Sequence, residues 1–415
     1  MKVLGGIMNL LVSAYACRPD MGSEPAVGWN WILEYSKLCN LVVLTNFTNE
    51  PYIKAYLAKH KSELKTVRFV YVKPKMKVDI WYKEWERLER FYYMCWQHTA
   101  LKMAKKLCSK EKFDYVQHIT YVSCVMPTYM YKLNVPFIYG PVSGGETVPS
   151  IIHYPFNGRE RVVESVRKCT QLIAKSSFNL KRCCKNAKII ITVTDESKKM
   201  LPEIYQEKAM VLQAIGLNKK TILDKEKDFK NYQPHFLMVG RMLSWKGFHI
   251  GLAAFVKALK DGVQAELTIL GSGNLNMKES LKNLAGEYLD EQVHFIDSVN
   301  YDKMAEFYDE YDVLLNCSLR DSGCLVVMEA MGRGLPVICI DTGGPKVNTE
   351  NGGAVKIRPD RYNKLCVELA EAIKLLANNI EERNRLSHEG REIALREFEY
   401  ESKISAFYYK YLEKK

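Results

Sequence analysis

Arg320-Asp321-Ser322-Gly323-Cys324-Leu325-Val326-Val327-Met328-Glu329-Ala330-Met331-Gly332-Arg333-Gly334-Leu335-Pro336 is the stretch from which the fold is read. The apolar run Val313 to Cys317 upstream of it reads as a strand. Gly323 allows a tight turn, Cys324 to Arg333 reads as a short helix, and Gly334 suits a helix end. Pro336 to Ile340 is then a second buried strand. Strand, glycine turn, helix and strand in this order aim unpaired backbone N–H groups at whatever lies above the turn, and phosphate is the natural guest. Asp321 stands at the helix mouth and Glu329 roughly 9 Å further along, at about 1.5 Å of rise per residue. Carboxylates repel a bare phosphate but suit hydroxyl groups beside one, as in a sugar nucleotide. Either acid alone fits an ordinary βαβ unit with solvated side chains.

The odds change about eighty residues earlier. His235-Phe236-Leu237-Met238-Val239-Gly240-Arg241-Met242-Leu243-Ser244-Trp245-Lys246-Gly247 is an apolar strand ending at Gly240, followed by a loop that Arg241 and Lys246 bracket. A helix, Phe248 to Leu259, comes next. Two cations at a strand's carboxyl end suit a diphosphate. With the two acids they form a constellation.

This constellation resembles the retaining family-4 glycosyltransferases, within the glycosyl transferases group 1. Their pattern is an Arg…Lys-Gly loop, a Gly-x-Gly loop, and Glu-x7-Glu followed by Ala-Met-x-x-Gly-x-Pro-Val. The middle element here is Gly271-Ser272-Gly273-Asn274, directly after the strand Glu266 to Leu270. Asp321 replaces the first Glu and is shorter by one methylene. The first half carries further matches. Tyr15-Ala16-Cys17-Arg18-Pro19-Asp20-Met21-Gly22-Ser23-Glu24 looks like the family's first loop. Tyr139-Gly140-Pro141-Val142-Ser143-Gly144-Gly145-Glu146 resembles its Gly-Pro-x-x-Gly-Gly-Glu run, and Tyr115-Val116-Gln117-His118-Ile119-Thr120 its strand-borne histidine.

The resemblance implies a B-type glycosyltransferase fold: α/β, with two Rossmann-like doubly wound domains facing across a cleft. It implies a catalytic set of His118, Arg241, Lys246, Asp321 and Glu329. Donor contacts would come from Gly22, Gly240, Arg241, Lys246, Gly271, Ser298, Val299, Asp321, Gly323, Cys324, Leu325 and Glu329. Ser23, Glu24, Gly144, Gly145 and Glu146 would line the acceptor side. Arg241 and Lys246 would steady the departing diphosphate, Glu329 the nucleotide ribose, and Asp321 and His118 the transferred sugar. No cofactor or metal is implied, and no Asp-x-Asp triplet occurs. The donor would be a nucleotide sugar, uridine slightly ahead of guanosine. The acceptor would be a glycan or lipid-linked hydroxyl, as in surface polysaccharide biosynthesis. A nucleotide-sugar 2-epimerase of the same fold and a non-catalytic subunit are the alternatives. The Asp-x7-Glu spacing favours a transferase, and retention of Arg241, Lys246 and Glu329 disfavours an inactive subunit.

Composition is compatible with this reading. A chain of 415 residues, 47% apolar and 26% charged, suits a globular protein of two or more domains. Twelve cysteines include the adjacent Cys183-Cys184 but no Cys-x-x-Cys, so they read as reduced core residues of a cytoplasmic protein. Met1 to Ala16 reads as a first strand, and no run of eighteen apolar residues crosses a bilayer. The net charge of +12 lies largely in the first half, without a nucleic-acid motif. Trp81, Trp85, Leu88, Tyr92, Trp96, Thr99, Met103 and Leu107 recur at helical spacing. With Lys75, Lys77, Lys105 and Lys106 nearby, that stripe suits peripheral contact with the inner face of the cytoplasmic membrane. It suits an N-domain core equally well.

Strand candidates alternate with helical stretches throughout. They are Ile7–Ala14, Leu41–Thr45, Val67–Val72, Tyr115–His118, Phe137–Tyr139, Lys188–Val193, Phe236–Val239, Glu266–Leu270, Val293–Ile296, Val313–Asn316 and Pro336–Ile340. The polar run Lys219 to Gln233 is linker-like. The expected domains are 1–217 and 218–397, with a helix over 398–415 crossing back to the first.

Overall fold

The computed structural model describes residues 7–74, 88–152, 158–230 and 233–413. The chain divides into two compact units. The first takes in Met1–Gly145, Cys169–Ile215 and Tyr400–Lys415, and the second Glu146–Lys168 and Gly216–Glu399. The segment Glu146–Lys168 therefore packs with the second unit, although the sequence reading puts it in the first. The polar Lys219 to Gln233 run is not a loose linker in its described part. Ile222 and Phe229 are buried in the second unit, and the Leu223 N–H donates to Gly332 O at 2.9 Å.

The first unit is built on seven strands: β1 (Asn9–Ala14), β2 (Asn40–Asn46), β3 (Val67–Val72), β4 (Tyr115–Thr120), β5 (Phe137–Val142), β6 (Ala187–Thr192) and β7 (Ala209–Val211). They lie in the order β3-β2-β1-β4-β5-β6-β7, every pair parallel. β1 shows why helices cover both faces. Leu10 and Val12 enter a layer with Trp31, Tyr35 and Phe407, while Leu11 enters the opposite one with Tyr93 and Trp96. A strand buried on both faces reads as a continuous apolar run, as these do. The last helix, Tyr400–Tyr411, packs on the helix Ser23–Ser36, with Trp31 and Phe407 ring centroids 6.3 Å apart.

The second unit repeats the plan with β8 (His235–Val239), β9 (Glu266–Leu270), β10 (Val293–Ile296), β11 (Val313–Asn316), β12 (Val337–Ile340) and β13 (Ala354–Ile357). Their order is β10-β9-β8-β11-β12-β13, again all parallel. In each sheet the order reverses beside the first strand, between β1 and β4 and between β8 and β11. Ligands of doubly wound sheets bind beyond the carboxyl ends of the strands at such a reversal.

The aromatic stripe belongs to the core where it is described. In the helix Glu89–Cys108, Tyr92, Tyr93, Trp96, Ala100 and Ala104 are buried against the first sheet. Lys102, Lys105 and Lys106 take the exposed face. Trp81, Trp85, Lys75 and Lys77 lie outside the described residues. Over residues 88–107 the core reading of the stripe holds, with Tyr92 and Trp96 buried and Met103 and Leu107 packed against them, while Phe91 and Met94 beside it are exposed. No helix among the described residues is long and apolar enough to cross a membrane. All twelve cysteines are free. Truncating fully buried Trp96 to Ala is expected to cost about 3–5 kcal/mol of stability, read as a lower denaturant midpoint. Unchanged stability would return the stripe to the surface.

Candidate active site

The carboxyl ends of β8 and β11 carry the candidate cations and acids of the second unit. After β8 the chain forms a single 3-10 turn, Ser244–Lys246, closed by Gly247 in the left-handed region at φ +70°. A Cβ on Gly247 would stand 2.0 Å from the Cys317 carbonyl oxygen, so only glycine lets this loop approach the end of β11. Gly271, after β9, meets the same constraint, since its Cβ would lie 2.1 Å from Gly240 O. The Leu319 N–H donates to Trp245 O at 2.8 Å and joins the two loops further.

This approach places Lys246 Nζ 2.5 Å from Asp321 Oδ2, with the side chains 20% and 17% exposed. The other carboxylate oxygen, Oδ1, accepts the Cys324 N–H at 3.0 Å, and the Asp321 carbonyl accepts the Gly344 N–H at 2.7 Å. Burial acts to lower the Lys246 ammonium's pKa, but the charge and hydrogen bond of Asp321 outweigh it and hold the value above its ordinary one. Arg241 opposes that rise through its own positive charge, so both cations act in one neighbourhood. The Arg241 side chain is exposed.

The helix beyond is Leu325–Gly332, one residue shorter at each end than the sequence reading. The left-handed residue at its entrance is Cys324, at φ 48°, and not Gly323. Asn348 Nδ2 donates to Gly323 O at 2.9 Å and to Cys324 O at 3.3 Å, which secures the turn from the side. Leu325 and Val326 open the helix, and their N–H groups have no intrahelical acceptor. Glu329 stands on the helix itself, in its second turn. It is half-buried and accepts the Tyr308 hydroxyl on Oε2 at 2.9 Å. Burial raises its pKa to about 7, and the Tyr308 bond works against that rise. Ser298 is exposed and Val299 half-buried in the loop after β10, on the same edge of the sheet.

The first unit's candidates converge on the turn after β4. The Glu24 carboxylate accepts the Val122 N–H, and His118 Nε2 bonds the neighbouring Tyr121 carbonyl at 3.0 Å. That bond makes Nε2 the protonated nitrogen. Burial of the ring lowers its pKa to about 4, so the imidazole is neutral. His118 has no exposed surface, and the Glu24 carboxylate is engaged on backbone, with burial raising its pKa. Ser143 Oγ donates to Val122 O at 3.0 Å, tying the Gly144–Gly145 loop to the same turn, and Gly145 N–H donates to Ser197 Oγ at 3.3 Å. Gly22 and Ser23 are exposed at the start of the helix Ser23–Ser36. Buried Glu146 opens the next segment, which packs with the second unit.

Residues 219–393 match the family model described as glycosyl transferases group 1. This part of the chain is a group 1 glycosyl transferase domain. An uncharacterized glycosyltransferase of Haemophilus influenzae is 30% identical over 199 residues, 46% of this chain and 52% of that one. The chain spans about half the length of the curated relatives it matches. Sucrose-phosphate synthase of Thermosynechococcus elongatus superposes with a TM-score of 0.61 at 15% identity, over 97% of this chain and 98% of that one. Anabaena HepE in complex with UDP-glucose gives 0.56 at 14%, over 97% and 100%. These likenesses establish the two-unit B-type fold.

Sequence reasoning passed over Tyr308, Gly344 and Asn348, which bond Glu329, Asp321 and the Gly323–Cys324 turn. The Asp341-Thr342-Gly343-Gly344-Pro345 run carried a turn signal. Tyr308, beside Phe307 on the short helix Met304–Asp309, carried none. Because the folded value of Glu329 lies above its ordinary 4.5, the stability it contributes is complete below 4.5 and is lost as pH rises through about 7. Between pH 6 and 8 that loss is expected to be about 1 kcal/mol. Denaturant unfolding at the two pH values measures it, and Glu329→Gln should flatten the dependence.

Proposed function

We propose that the protein is a retaining glycosyltransferase. It moves a hexose from a nucleoside-diphosphate sugar to a hydroxyl of a glycan or lipid-linked acceptor, in surface polysaccharide biosynthesis. The observation that carries the reading is the Lys246–Asp321 pair with Arg241 beside it, at the carboxyl ends of β8 and β11 and next to a helix N-terminus. Two cations and free N–H groups at a sheet's reversal suit a diphosphate. Complex formation of HepE with UDP-glucose supports a uridine donor. No membrane contact enters the proposal, because Tyr92 and Trp96 of the stripe are buried in the core of the first unit.

In the transfer, the bond from the sugar's C1 to the diphosphate oxygen breaks, and its electron pair leaves with the diphosphate. The acceptor oxygen forms a new bond to C1 on the face just vacated. The acceptor's proton passes to the departing phosphate oxygen. Charge grows on the diphosphate along this path, so contacts that tighten there lower the barrier. Lys246, Arg241 and the N–H groups at Leu325 and Val326 face that charge. Glu329 accepts from the ribose and Asp321 from the sugar's hydroxyls. Metal is not needed, since the leaving group is neutralised by side chains.

A thermal-shift panel of nucleotide sugars tests the reading, each run with and without excess EDTA. A uridine or guanosine diphosphate sugar at 100 times its dissociation constant should stabilise the protein by about 2.7 kcal/mol in both conditions. No shift with any donor, or a shift abolished by EDTA, would contradict the proposal. For catalysis, Lys246→Ala and Arg241→Ala should each lose about 10²–10³ in turnover while the protein remains folded. Near-normal turnover in either variant would remove that residue from the diphosphate site.

A further inference from the structure

The two loops that carry Lys246 and Asp321 are gripped from outside by one helix. Gly158–Lys175 presents Glu160 and Glu164, one turn apart on the same face, and the turns that hold them pack with the second unit. Glu160 accepts a hydrogen bond from Ser244 Oγ, two residues before Lys246. Glu164 forms an ion pair with Arg320, the residue before Asp321. The Arg320 guanidinium in turn lies over the Trp245 ring, 4.2 Å from its centroid, and Trp245 directly precedes Lys246. Glu164, Arg320 and Trp245 thus link the helix to the residue next to each member of the Lys246–Asp321 pair.

The pair that closes this brace is desolvated. Glu164 and Arg320 side chains are only 13% and 12% exposed, and Glu164 Oε2 makes no hydrogen bond among the described residues. Burial lowers the Arg320 pKa and the Glu164 charge counters it. A surface ion pair exchanges partners easily and orders little. A buried one with a cation–π contact on its far side fixes the backbone at both ends. Nothing in the diphosphate chemistry requires an acid on this helix, and the partners Ser244 and Arg320 are sequence neighbours of the pair.

We infer that Glu164 and Arg320 are positioning residues, which with Glu160 hold the two loops so that Lys246 and Asp321 meet the diphosphate sugar in register. The inference rests on the proposed glycosyl transfer. The brace acts on placement, so it is felt in the rate more than in ground-state binding. Misplacement of a catalytic group by about 1 Å costs on the order of 100-fold.

The test uses the full chain with UDP-glucose, and GDP-mannose in parallel, reading nucleoside diphosphate release with water as acceptor and donor Kd by calorimetry. Glu164→Gln should lower the release rate roughly 10–100-fold with Kd within about threefold of wild type. In a Lys246→Ala background the same substitution should have a clearly smaller further effect on release, because the part of its action that runs through Lys246 is already lost. Should Glu164→Gln fail to fold, Glu164→Gln with Arg320→Gln leaves no lone buried charge and should show the same rate loss. A wild-type rate in either variant, or a loss that multiplies with Lys246→Ala and follows the fall in Tm, overturns the brace. A wild-type chain that neither binds nor cleaves any nucleotide sugar overturns glycosyl transfer itself, and the brace with it.

Discussion

Parallel strand pairing is the constraint on which the rest depends. A parallel strand cannot turn straight back to its neighbour, so each connection crosses a face of the sheet, usually as a helix. Every loop that follows a strand then opens at one edge. In the second unit this gathers the segments after β8, β9, β10 and β11, and in the first those after β1, β4 and β5. The candidate residues are scattered over three hundred positions of sequence, yet within each unit they fall on that single edge. Glycine makes the gathering tight where it matters. Gly247 and Gly271 stand where a methyl group would overlap a carbonyl oxygen of the adjoining loop.

Once the loops are close, charge decides their geometry. Lys246 loses hydration by approaching β11, and alone that would favour the neutral amine. Asp321 reverses the balance through a 2.5 Å contact and keeps the ammonium charged. The acid is itself oriented by the Cys324 N–H, so pairing and helix entry share one carboxylate. This gives a reason for aspartate at a position where the family pattern has glutamate. Its short arm lets one oxygen cap the turn three residues on while the other reaches Lys246.

The β8 and β11 loops were legible because glycine, cation and acid spacings survive in one dimension. So were eleven of the strands, each with an apolar run of its own. The two that escaped notice, β7 and β13, are edge strands without a full apolar run: Ala209–Val211 has three residues, and Lys356 interrupts Ala354–Ile357. Ala209–Val211 and Ala354–Ile357 gain strand geometry from one neighbour each. The turn at 323–324 was placed one residue early because glycine is the ordinary choice for positive φ. Cys324 adopts it under the hold of Asn348 and Asp321. Residues 146–168 were assigned by their place in the chain, whereas their acids answer cations and hydroxyls far along it. Only the folded chain brings Glu164 to Arg320. The stripe at 88–107 had two readings with identical spacing, and periodicity cannot tell a core from an interface.

Glu329 joins these local effects to ligand chemistry. Its carboxyl group titrates near neutrality because burial disfavours the charged form, and one oxygen is already satisfied by Tyr308. The second oxygen is the one a ribose hydroxyl would meet. Donation from a ligand hydroxyl favours the carboxylate and lowers its pKa, so a nucleotide held there would expel a proton from a half-protonated group. Binding energy would be partly consumed in that ionisation below neutrality and fully available above it. The same proton that stabilises the protein at low pH would therefore compete with a nucleotide for one carboxylate.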